Sequence, residues 1–203
     1  EEAKGLSLES AAVRNRIVNT SLDTAIKSNP APLFSKSYAK RIQTGNFEDD
    51  MSKISQVDWI IEVVVERLDI KKSVFEQVEK YLKQGTLITS NTSGIPIHMM
   101  NEGRSDDFKA HFCGTHFFNP PRYLQLLEII PTADTKQEVI DFLMHFGDKM
   151  LGKTVVLCKD TPAFIGNRIG VYSMLALTHL VDQLDLSVEE VDKYTGPAMG
   201  HPK

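Results

Sequence analysis

A histidine and a glutamate near the middle of the chain carry side chains suited to proton transfer. His116 begins the run His-Phe-Phe-Asn-Pro-Pro-Arg (116–122), and Glu128 interrupts the apolar run Leu-Leu-Glu-Ile-Ile (126–130). A buried carboxylate needs a partner, and a carboxylate that binds one imidazole nitrogen raises the basicity of the other. If the two runs pair as antiparallel strands, His116 and Glu128 come within reach and can form a general base. Taken alone, His116 would more often be a hydrogen-bonded histidine of the core.

Three further candidates follow predicted strands. Glu66 and Lys71 come after the run Trp-Ile-Ile-Glu-Val-Val-Val (59–65), and Ser93 lies in Ser-Asn-Thr-Ser-Gly (90–94) after the next strand. Ligands of open parallel sheets bind at the carboxyl ends of the strands, so these polar groups are binding candidates. Simpler interpretations also hold, because acidic residues are favourable at helix starts and small polar loops are common.

The segment Asp-Thr-Pro-Ala-Phe-Ile-Gly-Asn-Arg (160–168) connects the last predicted strand to a long apolar helix. Pro162 suits an early helical position, and the helix is predicted over 163–183. Asn167 then faces either the helix interior or a cleft beside the helix, and the local sequence favours neither.

Strand and helix patterns alternate through the middle of the chain, which indicates an α/β fold. Helical spacing predicts one helix that ends at Gly85 and another over 135–150, with Thr135 and Glu138 as a capping box. Runs rich in β-branched and aromatic residues predict strands at 59–65, 86–90, 110–118, 125–130 and 154–157. We expect a mostly parallel sheet with helices on both faces.

Both ends of the chain are predicted to be helical. An apolar stripe that includes Leu8 and Ile26 ends at Ser28-Asn29-Pro30, and a short helix runs from about Ser35 to Gly45. After 160, the long helix and a short one capped by Ser187 and Glu190 follow. Residues 1–159 are therefore assigned to the α/β domain and residues 160–203 to the start of an all-α domain.

Composition excludes several classes of partner. The 203 residues are 41% apolar and 25% charged, the net charge of −4 gives no support for nucleic-acid binding, and no run approaches the ~18 apolar residues of a membrane span. Cys113 and Cys158 lack metal-binding spacing, which favours two buried, reduced thiols in a cytoplasmic protein. Lys36, Lys40 and Arg41 form either a solvated helix face or a phosphate-contacting patch.

Four motifs together resemble the 3-hydroxyacyl-CoA dehydrogenase family, most closely its bacterial members. They match in order and spacing, and the similarity runs from about Val57 to the C-terminus: Ser-Asn-Thr-Ser (90–93), His-Phe-Phe-Asn-Pro (116–120), Leu-Leu-Glu-Ile-Ile (126–130) and the segment 160–168. The resemblance implies a Rossmann-like fold and an NAD-dependent enzyme that oxidises the 3-hydroxyl of an acyl-CoA in fatty-acid β-oxidation.

The resemblance also implies roles for the substrate-facing residues. His116 matches the catalytic histidine, and Glu128 matches the carboxylate that pairs with it. Ser93 matches a serine that contacts substrate and cofactor, and Asn167 matches the substrate-orienting asparagine of the cleft between domains.

By the same resemblance, Glu66, Lys71 and Asn119 match positions that contact NAD. A homodimer is expected for the whole protein, which can belong to a multifunctional β-oxidation enzyme. The GxGxxG turn of a dinucleotide-binding domain is not found in the sequence. The chain is therefore expected to be a fragment without the first βαβ unit and most of the C-terminal helical domain.

Two other functions stay open. Ser93, His116 and Glu128 are also the residue types of a hydrolase triad, although the G-x-S-x-G turn that exposes such a serine does not occur. A CoA-binding or oligomerising module without catalysis is the non-enzymatic alternative.

Overall fold

The computed structural model describes Ser7, residues 10–196 and residues 199–200, and this part of the chain is built around one β-sheet. Its strands lie side by side in sequence order: β1 (Trp59–Glu62), β2 (Leu87–Ser90), β3 (Phe112–Phe117), β4 (Leu126–Pro131) and β5 (Thr154–Leu157). β1, β2 and β3 are parallel, β4 is antiparallel to β3, and β5 is parallel to β4. The prediction of a mostly parallel, Rossmann-like sheet is confirmed.

β1 is shorter than the predicted strand 59–65. It ends at Glu62 because the Glu62 carboxylate accepts a hydrogen bond from the backbone N–H of Val64 at 2.5 Å, which turns the chain away from the sheet. Val63 and Val65 consequently point into solvent despite their preference for strands. The prediction for 63–65 was wrong because a side-chain contact overrides local propensity.

Helices cover both faces of the sheet: α3 (Leu68–Glu79), α4 (His98–Asn101), α5 (Asp106–Ala110) and α6 (Gln137–His145). Successive strand residues point to opposite faces, so neighbours in the sequence fill two separate cores. One core packs α3, α4 and α5 against a first set of strand side chains: Ile88, Phe112 and Ile130. The other packs α6 against the second set: Leu87, Cys113, Leu127 and Ile129. The predicted helical cover on both faces is therefore confirmed.

The capping box predicted at Thr135 and Glu138 was wrong. α6 begins at Gln137 after Lys136, which makes no side-chain cap, and the chain continues as a π-helical turn over Phe146–Met150. The Thr135 hydroxyl instead donates to the Phe112 carbonyl oxygen at 2.7 Å. This contact ties the turn after β4 to the start of β3.

Helices flank the sheet at both ends of the described chain: α1 (Ala11–Arg14), α2 (Arg16–Lys27), 3₁₀ helices at Lys36–Arg41 and Met51–Gln56, α7 (Gly166–Gln183) and α8 (Val188–Thr195). α2 ends before Pro30 as predicted, and the short helix predicted from Ser35 forms as a 3₁₀ helix. The capping box of Ser187 and Glu190 is confirmed at the start of α8. Leu8 lies outside the described residues.

α7 begins later than the predicted residue 163. Ala163 and Phe164 have φ values of 63° and 49°, so the backbone takes a left-handed turn before the helix starts at Gly166. Pro162 therefore lies in a loop rather than at an early helical position. Among the described helices, none is long and apolar enough to cross a membrane.

Candidate functional site

His116 and Glu128 lie directly opposite each other on β3 and β4. The antiparallel register pairs the two residues, and their side chains meet with 2.7 Å between His116 Nδ1 and Glu128 Oε2. Both are buried, with Glu128 completely shielded from solvent. The predicted antiparallel pairing is confirmed, and it places the carboxylate where it can fix one imidazole tautomer.

The second oxygen of Glu128 is held by the start of α7. Glu128 Oε1 accepts hydrogen bonds from the backbone N–H of Ile165 at 3.0 Å and of Gly166 at 2.7 Å. The positive end of the helix dipole favours a negative charge at this position. A fully buried carboxylate thus receives three hydrogen bonds, which satisfies the need for compensation that the sequence indicated.

The imidazole of His116 has one nitrogen left for chemistry. Its ring packs between aromatic neighbours, with ring centroids 4.4 Å from Phe118 and 5.8 Å from Phe164. Nε2 has no hydrogen-bond partner among the described residues, whereas Nδ1 is committed to Glu128. A histidine fixed in this way can accept a proton at Nε2 from a bound ligand.

The loop that carries Ser93 is held by Glu66. One carboxylate oxygen of Glu66, Oε1, accepts hydrogen bonds from the Thr92 hydroxyl, from the Ser93 N–H at 2.8 Å and from the Gly94 N–H at 3.2 Å. Burial by itself raises the pKa of Glu66, but these hydrogen bonds and the charge of Lys71 together hold the pKa below its ordinary value. Within the described part of the chain, the Ser93 hydroxyl has no partner of its own.

Lys71 is almost completely buried beneath this loop. Its ammonium lies 2.9 Å and 3.0 Å from the two carboxylate oxygens of Glu62 and 3.4 Å from Glu66 Oε2. The Ser90 hydroxyl also donates to Glu62 at 2.6 Å. Sequence reasoning missed Glu62, although it is a charged residue inside an apolar run, the same signal that identified Glu128.

Asn167 reaches from α7 to the Ser93 loop. Its side-chain amide donates to the Ser93 carbonyl oxygen at 3.0 Å. The structure therefore brings Asn167 and Ser93 together at one end of the sheet, where β2 and β3 also end.

Asn119 lies two residues beyond β3 and is exposed. A different asparagine, Asn91, contacts β3: its Oδ1 accepts a hydrogen bond from the Phe117 N–H at 2.9 Å. This hydrogen bond lies beyond the last backbone pairing of β2 and β3, so it lengthens the contact between the two strands. No pattern in the sequence indicated it.

The remaining sequence candidates are a basic helix face and two cysteines. Lys36, Lys40 and Arg41 are exposed, and Arg41 stacks over the Tyr38 ring at 4.4 Å. Cys113 and Cys158 are buried free thiols, as predicted. Over the residues that the structure describes, no group of three or more histidine, cysteine, aspartate or glutamate side chains could hold a metal ion.

Known proteins are similar to this chain in sequence and in fold. The family model for the 3-hydroxyacyl-CoA dehydrogenase NAD-binding domain matches residues 5–161. A probable 3-hydroxyacyl-CoA dehydrogenase of Bacillus subtilis is 51% identical over all of this chain, which spans 26% of that relative. A putative fatty acid oxidation complex trifunctional enzyme of Rickettsia felis is 39% identical over 93% of this chain, again across 26% of the relative.

A solved structure agrees with the sequence relatives. The crystal structure of (S)-3-hydroxybutyryl-CoA dehydrogenase from Ralstonia eutropha superposes with a TM-score of 0.74 at 27% identity, covering 95% of this chain and 68% of that one. The chain thus spans about a quarter of the two curated relatives named above and two thirds of this structure. Because the family model covers most of its length, the chain belongs to the 3-hydroxyacyl-CoA dehydrogenase family, over the NAD-binding domain.

Proposed function

We propose that the protein containing this chain oxidises (S)-3-hydroxyacyl-CoA to 3-oxoacyl-CoA with NAD, and that His116 is its general base. The observation that supports this role is the buried pair of His116 Nδ1 and Glu128 Oε2 at 2.7 Å, with Nε2 left without a partner. A dehydrogenation of this kind needs a base for the hydroxyl proton while a hydride leaves the same carbon. The family match supplies the reaction class, and the pair supplies the base.

The proton is handled by residues of this chain. His116 Nε2 accepts the proton of the substrate hydroxyl, and the imidazolium that forms is stabilised by Glu128 at the other ring nitrogen. The N–H groups of Ile165 and Gly166 hold the Glu128 carboxylate in its orientation toward His116. The Ser93 hydroxyl and Asn167 are placed to hold polar oxygens of the substrate, a role of fixed donors in transition-state stabilisation.

NAD fits the polar groups at this end of the sheet. When bound, NAD supplies the hydride acceptor. The Glu66 side chain is 44% exposed, and it binds the backbone of the loop that carries Ser93, whose hydroxyl has no hydrogen-bond partner among the described residues. With Asn119 these groups can hydrogen-bond hydroxyl and amide groups of the cofactor. The Lys71 ammonium is buried against Glu62 and Glu66, so we expect it to contribute by holding Glu66 in place.

The wider biological assignment rests on the relatives. An acyl-CoA substrate and a place in fatty-acid β-oxidation, as part of a multifunctional enzyme, are supported by the name of the Rickettsia relative. The division into an NAD-binding domain over 1–159 and the start of a helical domain over 160–203 is supported by the family match, which ends at 161. A homodimer is proposed from the family resemblance, and a cytoplasmic location from the two free thiols.

The experiment uses the intact protein that contains this chain. NADH oxidation is followed with acetoacetyl-CoA as substrate, for the wild type and for His116→Gln. General-base catalysis is typically worth roughly 10²–10⁴ in rate, so we expect a loss of that size in kcat. His145→Gln is the matched control, because His145 is exposed at the last residue of α6.

The result that would overturn the assignment is near-full turnover of His116→Gln at every pH. An inactive but folded wild type that still binds acyl-CoA would favour the non-catalytic module. Labelling of Ser93 by a serine-directed covalent inhibitor would favour the hydrolase, because the dehydrogenase requires no nucleophilic serine.

A further inference from the structure

The loop between β5 and α7 is attached to the rest of the domain by Asp160. Its carboxylate accepts the backbone N–H of Ile97 at 2.6 Å and of His98 at 2.8 Å, and it lies 2.7 Å from His98 Nδ1. Only 13% of the Asp160 side chain is exposed, although the His98 side chain that it contacts is 59% exposed. Three contacts at one carboxylate fix the position at which the loop leaves the sheet.

Beyond Asp160 the backbone adopts a conformation that non-glycine residues rarely take. Ala163 and Phe164 both lie in the left-handed region, at φ 63° and 49°. Such residues persist only where surrounding contacts hold them, and they concentrate at functional sites. Here the Ala163 N–H donates to the Gly94 carbonyl oxygen at 3.4 Å, and the buried Phe164 ring packs in the core that contains Ile97.

The left-handed turn determines where the next two N–H groups point. Ile165 and Gly166 follow it directly, and both donate to Glu128 Oε1. The order of contacts therefore runs from Asp160 through the turn to Glu128, and from Glu128 to His116. Among the described residues, Asp160 makes no hydrogen bond with His116 or Glu128, and the contacts above connect it to Glu128 through the loop.

We propose that Asp160 is a positioning residue for the pair of His116 and Glu128. It holds the loop 160–166 so that two backbone N–H groups fix the orientation of the Glu128 carboxylate, which in turn fixes the imidazole. This inference rests on the proposed role of the pair as the general base. Loss of Asp160 frees one end of the loop, and the left-handed turn then relaxes away from Glu128.

The test compares kcat and KM of the intact protein for acetoacetyl-CoA reduction by NADH. Asp160→Ala is expected to lower kcat roughly tenfold with KM changed less than about twofold, because a small displacement of a catalytic group can cost up to about 10²-fold in rate. Asp160→Asn keeps one acceptor oxygen for a backbone N–H and is expected to retain most of kcat. Wild-type kcat in Asp160→Ala would overturn the proposal.

A double-mutant cycle separates positioning from general destabilisation. In a Glu128→Gln background, Asp160→Ala is expected to cost less than about twofold further in kcat, because its route to His116 is already interrupted. An equal tenfold loss in both backgrounds would overturn the proposal. If Asp160→Ala does not fold, the same cycle is run with Asp160→Asn, whose smaller loss must also vanish in the Glu128→Gln background.

Arg104→Gln is the control for a merely structural role. Arg104 and Glu79 form a largely buried pair at 3.0 Å that holds the loop before α5 to α3, away from the loop 160–166. This variant is expected to lower the thermal unfolding midpoint without lowering kcat. If Glu128→Gln keeps the wild-type kcat, the general-base pair itself is refuted. If the kcat losses of Glu128→Gln and Asp160→Ala are additive, only the role of Asp160 is refuted.

Discussion

Lys71 and Glu62 form an ion pair that solvent barely reaches, with side chains 1% and 2% exposed and 2.9 Å between Nζ and Oε1. The pair joins the start of α3 to the end of β1, and Ser90 ties it to β2. It therefore fixes the end of the sheet on which the Ser93 loop rests.

Removing one partner of this pair should be strongly destabilising. Lys71→Met leaves the Glu62 carboxylate buried without its cation, which typically costs about 3–5 kcal/mol of unfolding free energy. Lys72→Met is the matched control, because Lys72 and Glu102 pair on the surface and such pairs contribute under about 1 kcal/mol. Urea unfolding measures both, and equal losses would contradict the buried role of Lys71.

Replacement by alanine should lower kcat at Gly166 but not at Gly170, although both glycines lie in α7. A Cβ at Gly166 would lie 2.7 Å from Phe118 Cζ, so Gly166→Ala must displace the ring or the helix start. We expect it to lower kcat roughly tenfold by moving the N–H that binds Glu128. Gly170 has no atom within 4 Å of such a Cβ, and alanine there should leave kcat unchanged and stabilise the helix by up to about 1 kcal/mol.

Acid should weaken the protein partly through Glu66. Its pKa is held below the ordinary 4.5, so the folded state binds this proton less readily than the unfolded state. The stabilisation from Glu66 is therefore complete above the unfolded pKa and is lost as the pH falls through the folded one. Urea unfolding of the wild type and Glu66→Gln should differ most near neutral pH and converge in acid; a constant difference would contradict this linkage.

The two thiols should be inert in the folded protein. Burial raises the pKa of Cys113 to about 12, and burial together with the charge of Glu128 raises the pKa of Cys158 to about 12. The reactive thiolate is therefore scarce even in moderately alkaline solution. Iodoacetamide should label neither thiol in buffer and both in urea, and rapid labelling of the native protein would show that the cores around them open readily.

The sequence reveals a buried pair where a charge interrupts an apolar run. This signal identified Glu128, and His116 could be assigned to it because both segments read as strands separated by a short connection. Glu62 carries the same signal in the run 59–65, but its partner Lys71 lies on a helix. In the sequence, a buried helical lysine cannot be distinguished from an exposed one. Pairing between a strand and a helix depends on tertiary packing that local patterns do not encode.

The loop before α7 could not be predicted for a different reason. Glycine and asparagine are the residues that commonly adopt left-handed backbone conformations, so their presence predicts such turns. Ala163 and Phe164 adopt this conformation only because contacts with Asp160, Gly94 and the core hold the loop. The sequence therefore favoured an earlier helix start, at about Ala163. Contacts distant in sequence decided the conformation.

A strand register rather than a loop brings His116 and Glu128 together. A slip of one residue would turn either side chain to the opposite face of the sheet, and the buried residues of both strands oppose such a slip. The connection over 118–125 contributes at its first residue, because the Phe118 ring packs on His116. Substitutions of the exposed side chains farther along this connection should therefore leave the proton-transfer geometry unchanged.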